Sequence, residues 1–262
     1  MYDKDVVRLL QRFSTHSMAV VFGAMLRSGI RLRHSLRIEG APYSFLVPAK
    51  DDSRRLFPAG TPAKTFAEER TGSLFPSLSG LRELSLQTFH YYNYQTHDFC
   101  LSDYAPLSWL EELVPLLPGL RVLSISGAEY AQEPSIFGQL VTTTFHHLLK
   151  LEIGDTRFRV EDIIRILHNH STTLEEFSIE NSRPVTTHNY VELLHGIIGL
   201  EALVSVELVR GSSRSIQRRF NHNWTLDGIG DTRIHIQELT PSDFQATLGR
   251  KLQEIENSSS RR

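Results

Sequence analysis

The chain has 262 residues, of which 40% are hydrophobic and 22% charged, with a net charge of −2. That balance gives no electrostatic case for nucleic acid or an anionic membrane surface, and no run of about 18 apolar residues predicts a membrane span. The single cysteine, Cys100, excludes an intrachain disulfide and fits a reducing compartment.

Residues 1–40 read as an N-terminal helical cap. Val6, Leu9, Leu10 and Phe13 fall on one helical face, and Val20, Val21, Met25 and Leu26 mark a second segment. The apolar stretch 17–26 is not a signal peptide, because Arg27, Arg31 and Arg33 follow where small residues should stand. The expected location is therefore cytoplasmic or nuclear. Leu36 and Ile38 suggest a first strand. Residues 41–74 hold Pro42, Pro48, Pro58 and Pro62 with charges between them, which predicts an irregular loop.

From residue 75 an apolar pattern repeats with gaps of two and one variable positions. It reads Leu81, Leu84, Leu86; Leu120, Leu123, Ile125; Leu148, Leu151, Ile153; Leu174, Phe177, Ile179; and Leu203, Val206, Leu208. A decayed copy keeps Ile234 and Ile236 but lacks the first apolar residue. From the second copy on, the starts are 28, 26, 29 and 28 residues apart. That is the period of a leucine-rich repeat, with one strand and one helix per unit. The expected fold is α/β: a leucine-rich-repeat solenoid of about six to seven irregular repeats over residues 75–240, with a curved parallel sheet inside and helices outside.

The segments between strands carry helix signals. Ser108 and Glu111 form a capping box, Pro134 suits a helix start, and Val160, Ile163, Ile164 and Leu167 share one face. Asn189 and Glu192 predict a helix whose apolar side is Val191, Leu194 and Ile198. Thr240, Pro241 and Asp243 open a last helix over 241–256, with Phe244, Leu248, Leu252 and Ile255 on one side, as a cap for the array. The polar tail 257–262 is expected to fray.

The first interval is longer, at 39 residues, and its excess carries Tyr91, Tyr92 and Tyr94. Insertions in repeat arrays form loops on one face, often the binding face. These tyrosines are candidate protein-binding anchors.

Catalytic and metal-ligating patterns are weak. The twelve histidines give only His146-His147 and His168-Asn169-His170 as close groups. Neither has a zinc spacing, and the second suits a helix end. No nucleophile elbow, zinc-protease helix or phosphate loop occurs. Glu175 and Glu176 are adjacent on a strand, so they point to opposite faces and cannot act as an acid/base pair. Arg210, Arg214, Arg218 and Arg219, followed by Phe220 and Trp224, read as a solvated basic face. The chain is expected to be non-catalytic, with no cofactor and no metal, to bind neither nucleic acid nor membrane, and to be monomeric.

The repeat does predict a surface. Residues alternating with the buried ones line up across adjacent strands on one sheet face. That stripe reads Glu83, Ser85, Gln87; Val122, Ser124, Ser126; Lys150, Glu152; Glu176, Ser178, Glu180; Ser205, Glu207; Arg233, His235, Gln237. Its central strands are acidic, with Glu152, Glu176, Glu180 and Glu207 against Lys150. These glutamates are the candidate contact residues for a protein partner with a basic surface.

The stretch 148–179, with its acidic Glu161-Asp162 helix and its His170-Ser171-Thr172-Thr173-Leu174 turn before the next strand, resembles repeats in fungal leucine-rich-repeat proteins of the F-box type. Leu116-Leu117-Pro118-Gly119-Leu120 and Ile38-Glu39-Gly40-Ala41-Pro42-Tyr43-Ser44-Phe45 add to the resemblance, which covers about residues 30–240. Residues 1–40 lack the Leu-Pro opening of an F-box. The resemblance implies a recognition module without its ligase-docking half. Two alternatives accompany the scaffold reading: the substrate-recognition part of a ubiquitin-ligase adaptor, and an accessory protein of a fungal metabolic pathway.

Overall fold

At the start of three successive parallel strands, one backbone carbonyl of the preceding repeat accepts two successive N–H groups. Arg121 O takes Leu149 N and Lys150 N at 2.8 and 2.9 Å; Leu149 O takes Glu175 N and Glu176 N at 2.8 and 2.9 Å; Glu175 O takes Val204 N and Ser205 N at 2.9 and 3.0 Å. Residues of the same repeat position therefore meet at every step. The computed structural model describes residues 28–29, 31–41, 78–88, 117–126, 137, 140–184, 190–210 and 233–259. The chain divides into two compact units, Met1–Leu120 and Arg121–Arg262.

In the first unit, β1 (Ser35–Ala41) and β2 (Glu83–Thr88) pair in parallel with Leu36 opposite Leu84. His34 O accepts Arg82 N and Glu83 N, the same two-to-one geometry as in the second unit. Leu78, Leu81, Leu84, Leu86, Leu117 and Leu120 are buried.

The second unit contains β3 (Val122–Ser126), β4 (Lys150–Gly154), β5 (Arg157–Phe158), α1 (Val160–Asn169), β6 (Glu176–Glu180), β7 (Arg183–Pro184), α2 (Tyr190–Ile197), β8 (Ser205–Val209), β9 (Arg233–Gln237) and α3 (Pro241–Ser259). The sheet order is β3-β4-β6-β8-β9, and the first four strands are parallel. Leu123, Ile125, Leu151, Ile153, Phe177, Ile179, Val206 and Leu208 are buried, in strict alternation with outward residues. Strand pairing with this period places the second and third apolar residues of each motif inside.

The last strand corrects the expectation of an all-parallel sheet. β9 runs antiparallel to β8, with Val206 opposite Ile236 and Leu208 opposite Ile234. An alternating pair of isoleucines reads the same in both directions, so the Ile234/Ile236 pattern carries no direction. The residue that marks direction in the other copies, an apolar side chain three positions upstream, is Asp231 here.

After β4 and β6 the chain turns through residues in the left-handed region, Asp155 at φ 48° and Asn181 at φ 51°. Aspartate and asparagine are the non-glycine residues that tolerate this geometry best. The turns then form the two-residue ladder β5–β7. Thr156 and Ser182, both buried, are satisfied within it: Thr156 N–H donates to Ser182 Oγ at 3.1 Å, and Ser182 Oγ donates to Glu180 O at 2.8 Å.

Helix α1 buries Val160, Ile163, Ile166 and Leu167. α2 differs in phase from the expectation. It buries Tyr190, Leu193, Leu194 and Ile197, whereas Ile198 is 47% exposed. The cause is Tyr190, whose ring meets Phe158 edge-on at 6.0 Å and whose hydroxyl donates to Ser182 O. Gly199, at φ 86°, ends this helix in the left-handed conformation that closes many helices. α3 buries the four expected residues. Thr240 Oγ1 accepts Asp243 N at 3.2 Å and donates to the Asp243 carboxylate at 2.7 Å, an N-cap that explains the helix start. The helix continues to Ser259, past the expected end at 256, because Ile255 is buried and Ser258 Oγ donates to its carbonyl at 2.7 Å.

α1 and α2 approach closely at Gly196. A Cβ added there would lie 2.3 Å from Ile164 Cδ1 and 2.5 Å from its Cγ1. Ile164 is β-branched and stiff, so Gly196→Ala should destabilise the protein by about 1–3 kcal/mol of overpacking. That exceeds the helix propensity gain of about 1 kcal/mol. In an Ile164→Ala background the obstacle is gone, and Gly196→Ala should become neutral or stabilising. Urea unfolding of the four proteins measures this sign change, and equal effects in both backgrounds would contradict the packing account.

Candidate binding face of the second-unit sheet

The outward residues of the five strands form three registered rows. The first is Val122, Lys150, Glu176, Ser205, Gln237; the second Ser124, Glu152, Ser178, Glu207, His235; the third Ser126, Gly154, Glu180, Val209, Arg233. Ser178 sits at the centre of a cross. Glu152 and Glu207 flank it on the neighbouring strands, and Glu176 and Glu180 lie two residues away on its own strand. Strand spacing of about 4.8 Å and a rise of about 3.3 Å per residue put all four carboxylates around one small side chain.

The glutamates are not all equivalent. Lys150 Nζ lies 3.0 Å from Glu152 Oε1 and 3.2 Å from Glu176 Oε2, so one ammonium serves two carboxylates. The Lys150 pKa is raised from its ordinary value, first by the hydrogen bond to Glu152, against a smaller opposing effect of burial. Arg233 Nη2 donates to Glu207 Oε1 at 2.6 Å, and His235 Nδ1 is 3.9 Å from the same oxygen. Glu180 makes no ion pair among the described residues. The face thus carries four carboxylates against two permanent cations, Lys150 and Arg233.

The antiparallel return of β9 sets Arg233 in the third row, opposite Val209. Arg233 belongs to the expected stripe, and the structure pairs it with Glu207. Beside the face, Asp155 has its pKa raised by burial, partly offset by a hydrogen bond from the Asn181 amide. Asp155 and Asn181 were missed in the sequence, although an Asp or Asn directly after a strand is a visible left-handed-turn signal.

The other candidate residues fall elsewhere. Tyr91, Tyr92 and Tyr94 lie outside the described residues, as do Cys100, Arg214, Arg218 and Arg219. The histidine group at the end of α1 makes contacts to the preceding and following repeats. His168 Nε2 donates to Gly196 O at 3.1 Å, and Asn169 Nδ2 donates to Val141 O at 2.6 Å. His170 is buried, with Nδ1 and Nε2 each hydrogen-bonded to the backbone. These are joints between repeats. Among the described residues no helix is long and apolar enough to cross a membrane.

Comparison with protein-family models, with curated proteins and with solved structures finds no match.

Removing the shared cation tests the face electrostatics. Lys150→Met leaves Glu152 and Glu176 facing each other without compensation. Both carboxylates are partly exposed, so the loss of stability should stay within about 1 kcal/mol and shrink as salt is added. A loss several times larger, or one insensitive to salt, would show that the pair is not the solvent-screened contact described.

Proposed function

We propose that this chain is a leucine-rich-repeat solenoid and serves as a non-catalytic protein-interaction scaffold. Its partner presents a basic surface to the sheet face that holds Ser178. The observation that carries this reading is the cross of Glu152, Glu207, Glu176 and Glu180 around Ser178. Two cations on the same face leave it net negative. The repeated strand starts and the alternating strand burial support a solenoid, in which each unit packs on its neighbours. The inner faces of such arrays are extended binding surfaces. A polar face of this kind gives steering and specificity through charge more than raw affinity.

Glu180 is the residue to reverse first. Glu176 and Glu207 hold Lys150 and Arg233, so their reversal sets like charges together inside the face. Glu180 has no such partner among the described residues, and surface changes of this kind usually alter stability by less than about 0.5 kcal/mol. A partner is first captured from the source cells with the wild-type chain and identified by mass spectrometry. Its affinity is then measured for wild type and Glu180→Lys across a salt series. The reversal should weaken binding by about tenfold, the equivalent of about 1.4 kcal/mol, and flatten the salt dependence. Equal affinity and equal salt slopes in the two proteins would remove this face as the docking surface.

A further inference from the structure

We propose that His170 is a pH-sensitive clasp: its neutral ring ties the chain segment before β4 to the last turn of α1, and protonation of the ring releases that segment. This inference is independent of the binding reading.

The geometry leaves the ring one workable state. His170 is 3% exposed. Its Nε2 accepts the backbone N–H of Phe145 at 3.0 Å. A nitrogen that accepts cannot carry a proton, so the proton is on Nδ1, which donates to Ile166 O at 2.7 Å. The ring also stacks on Phe145, with centroids 6.1 Å apart and planes at 27°. A second proton would go to Nε2, where it would meet the Phe145 N–H head-on. The imidazolium would be both buried and opposed to a donor, and the contact would have to open.

Surrounding groups reinforce this. Burial is the largest influence and lowers the His170 pKa below its ordinary 6.5; the Ile166 carbonyl works in the opposite direction, and His146 lowers it further. Among the described residues His146, on the segment held by the clasp, is the titratable group that acts on the ring. On its own element, His168 is directed to Gly196 O instead. Because the folded value lies below the unfolded one, the native state binds fewer protons across that window. The stabilisation is complete above about pH 6.5 and is lost as pH falls through the folded value.

The segment under control is specific. Phe145 is buried, and Leu148 N donates to Phe145 O at 3.3 Å. Lys150, the cation shared by Glu152 and Glu176, begins the next strand. Asn169 holds the start of the same segment through Val141 O. The segment that opens leads into the strand that carries Lys150.

The test is amide hydrogen exchange of the full chain at about pH 7.5 and about pH 5, corrected for intrinsic rates. In wild type, protection at Phe145 should fall by up to about tenfold per pH unit through the window, while β6 amides keep theirs. His170→Gln retains an acceptor for Phe145 N–H but does not titrate, so its protection should be the same at both pH values. His146→Asn should keep the acid response. Constant protection in wild type, the same acid loss in His170→Gln, or loss of the response in His146→Asn would each overturn the proposal. Where the glutamine variant does not fold, the ring nitrogen spectrum of wild type decides. It should show the Nδ1–H tautomer at neutral pH and titration below the ordinary histidine value; a ring charged at neutral pH, or the Nε2–H tautomer, overturns it.

Discussion

The parallel part of the second unit depends on one backbone constraint: three successive repeats each offer a single carbonyl to two successive amides of the next. Arg121, Leu149 and Glu175 play this part in turn. A parallel pair is otherwise free to slip, and a slip by one residue would carry every buried side chain to the other face. With the strand starts pinned, Leu123, Leu151, Phe177 and Val206 fall in line, and so do Ser124, Glu152, Ser178 and Glu207. The core and the charged face are therefore two results of the same register.

Much of this was legible because a period-two strand inside a 26–29-residue repeat leaves a strong trace. The segments around Leu84, Leu123, Leu151, Phe177 and Val206 are strands, as their spacing predicts. What was not legible has a physical reason in each case. Strand direction at Ile234 and Ile236 is invisible to an alternation that is symmetric on reversal. The phase of α2 could not be read from Val191, Leu194 and Ile198, because a long-range contact of Tyr190 with Phe158 decides it. Residues 108–116, where a helix was expected, and the tyrosine insertion lie outside the described residues.

The face shows how composition can mislead about charge. Counting along the strands gives four glutamates and one lysine on the central strands, and suggests a uniform acidic patch. Pairing changes that picture. Lys150 draws in Glu152 and Glu176, and Arg233 on β9 pairs with Glu207. The negative charge left over is concentrated toward Glu180, in the middle of the row between Gly154 and Val209. Exposed pairs of this kind add little stability. Their effect is to set where on the face an incoming cation gains most.

The polar residues at the end of α1 act differently from those on the face. His168, Asn169 and His170 each contact the backbone of a neighbouring repeat, two of them backward to Val141 and Phe145 and one forward to Gly196. One helix end thus links three successive copies of the sequence repeat within the second unit. Backbone partners are a robust choice, because a substitution in the neighbour does not remove its N–H or C=O. Of the three, His170 is the buried one and the one whose ring must remain neutral to make both bonds. Where the joint is buried and titratable, the coupling between repeats depends on protons; where it is an exposed amide, as at Asn169, it does not.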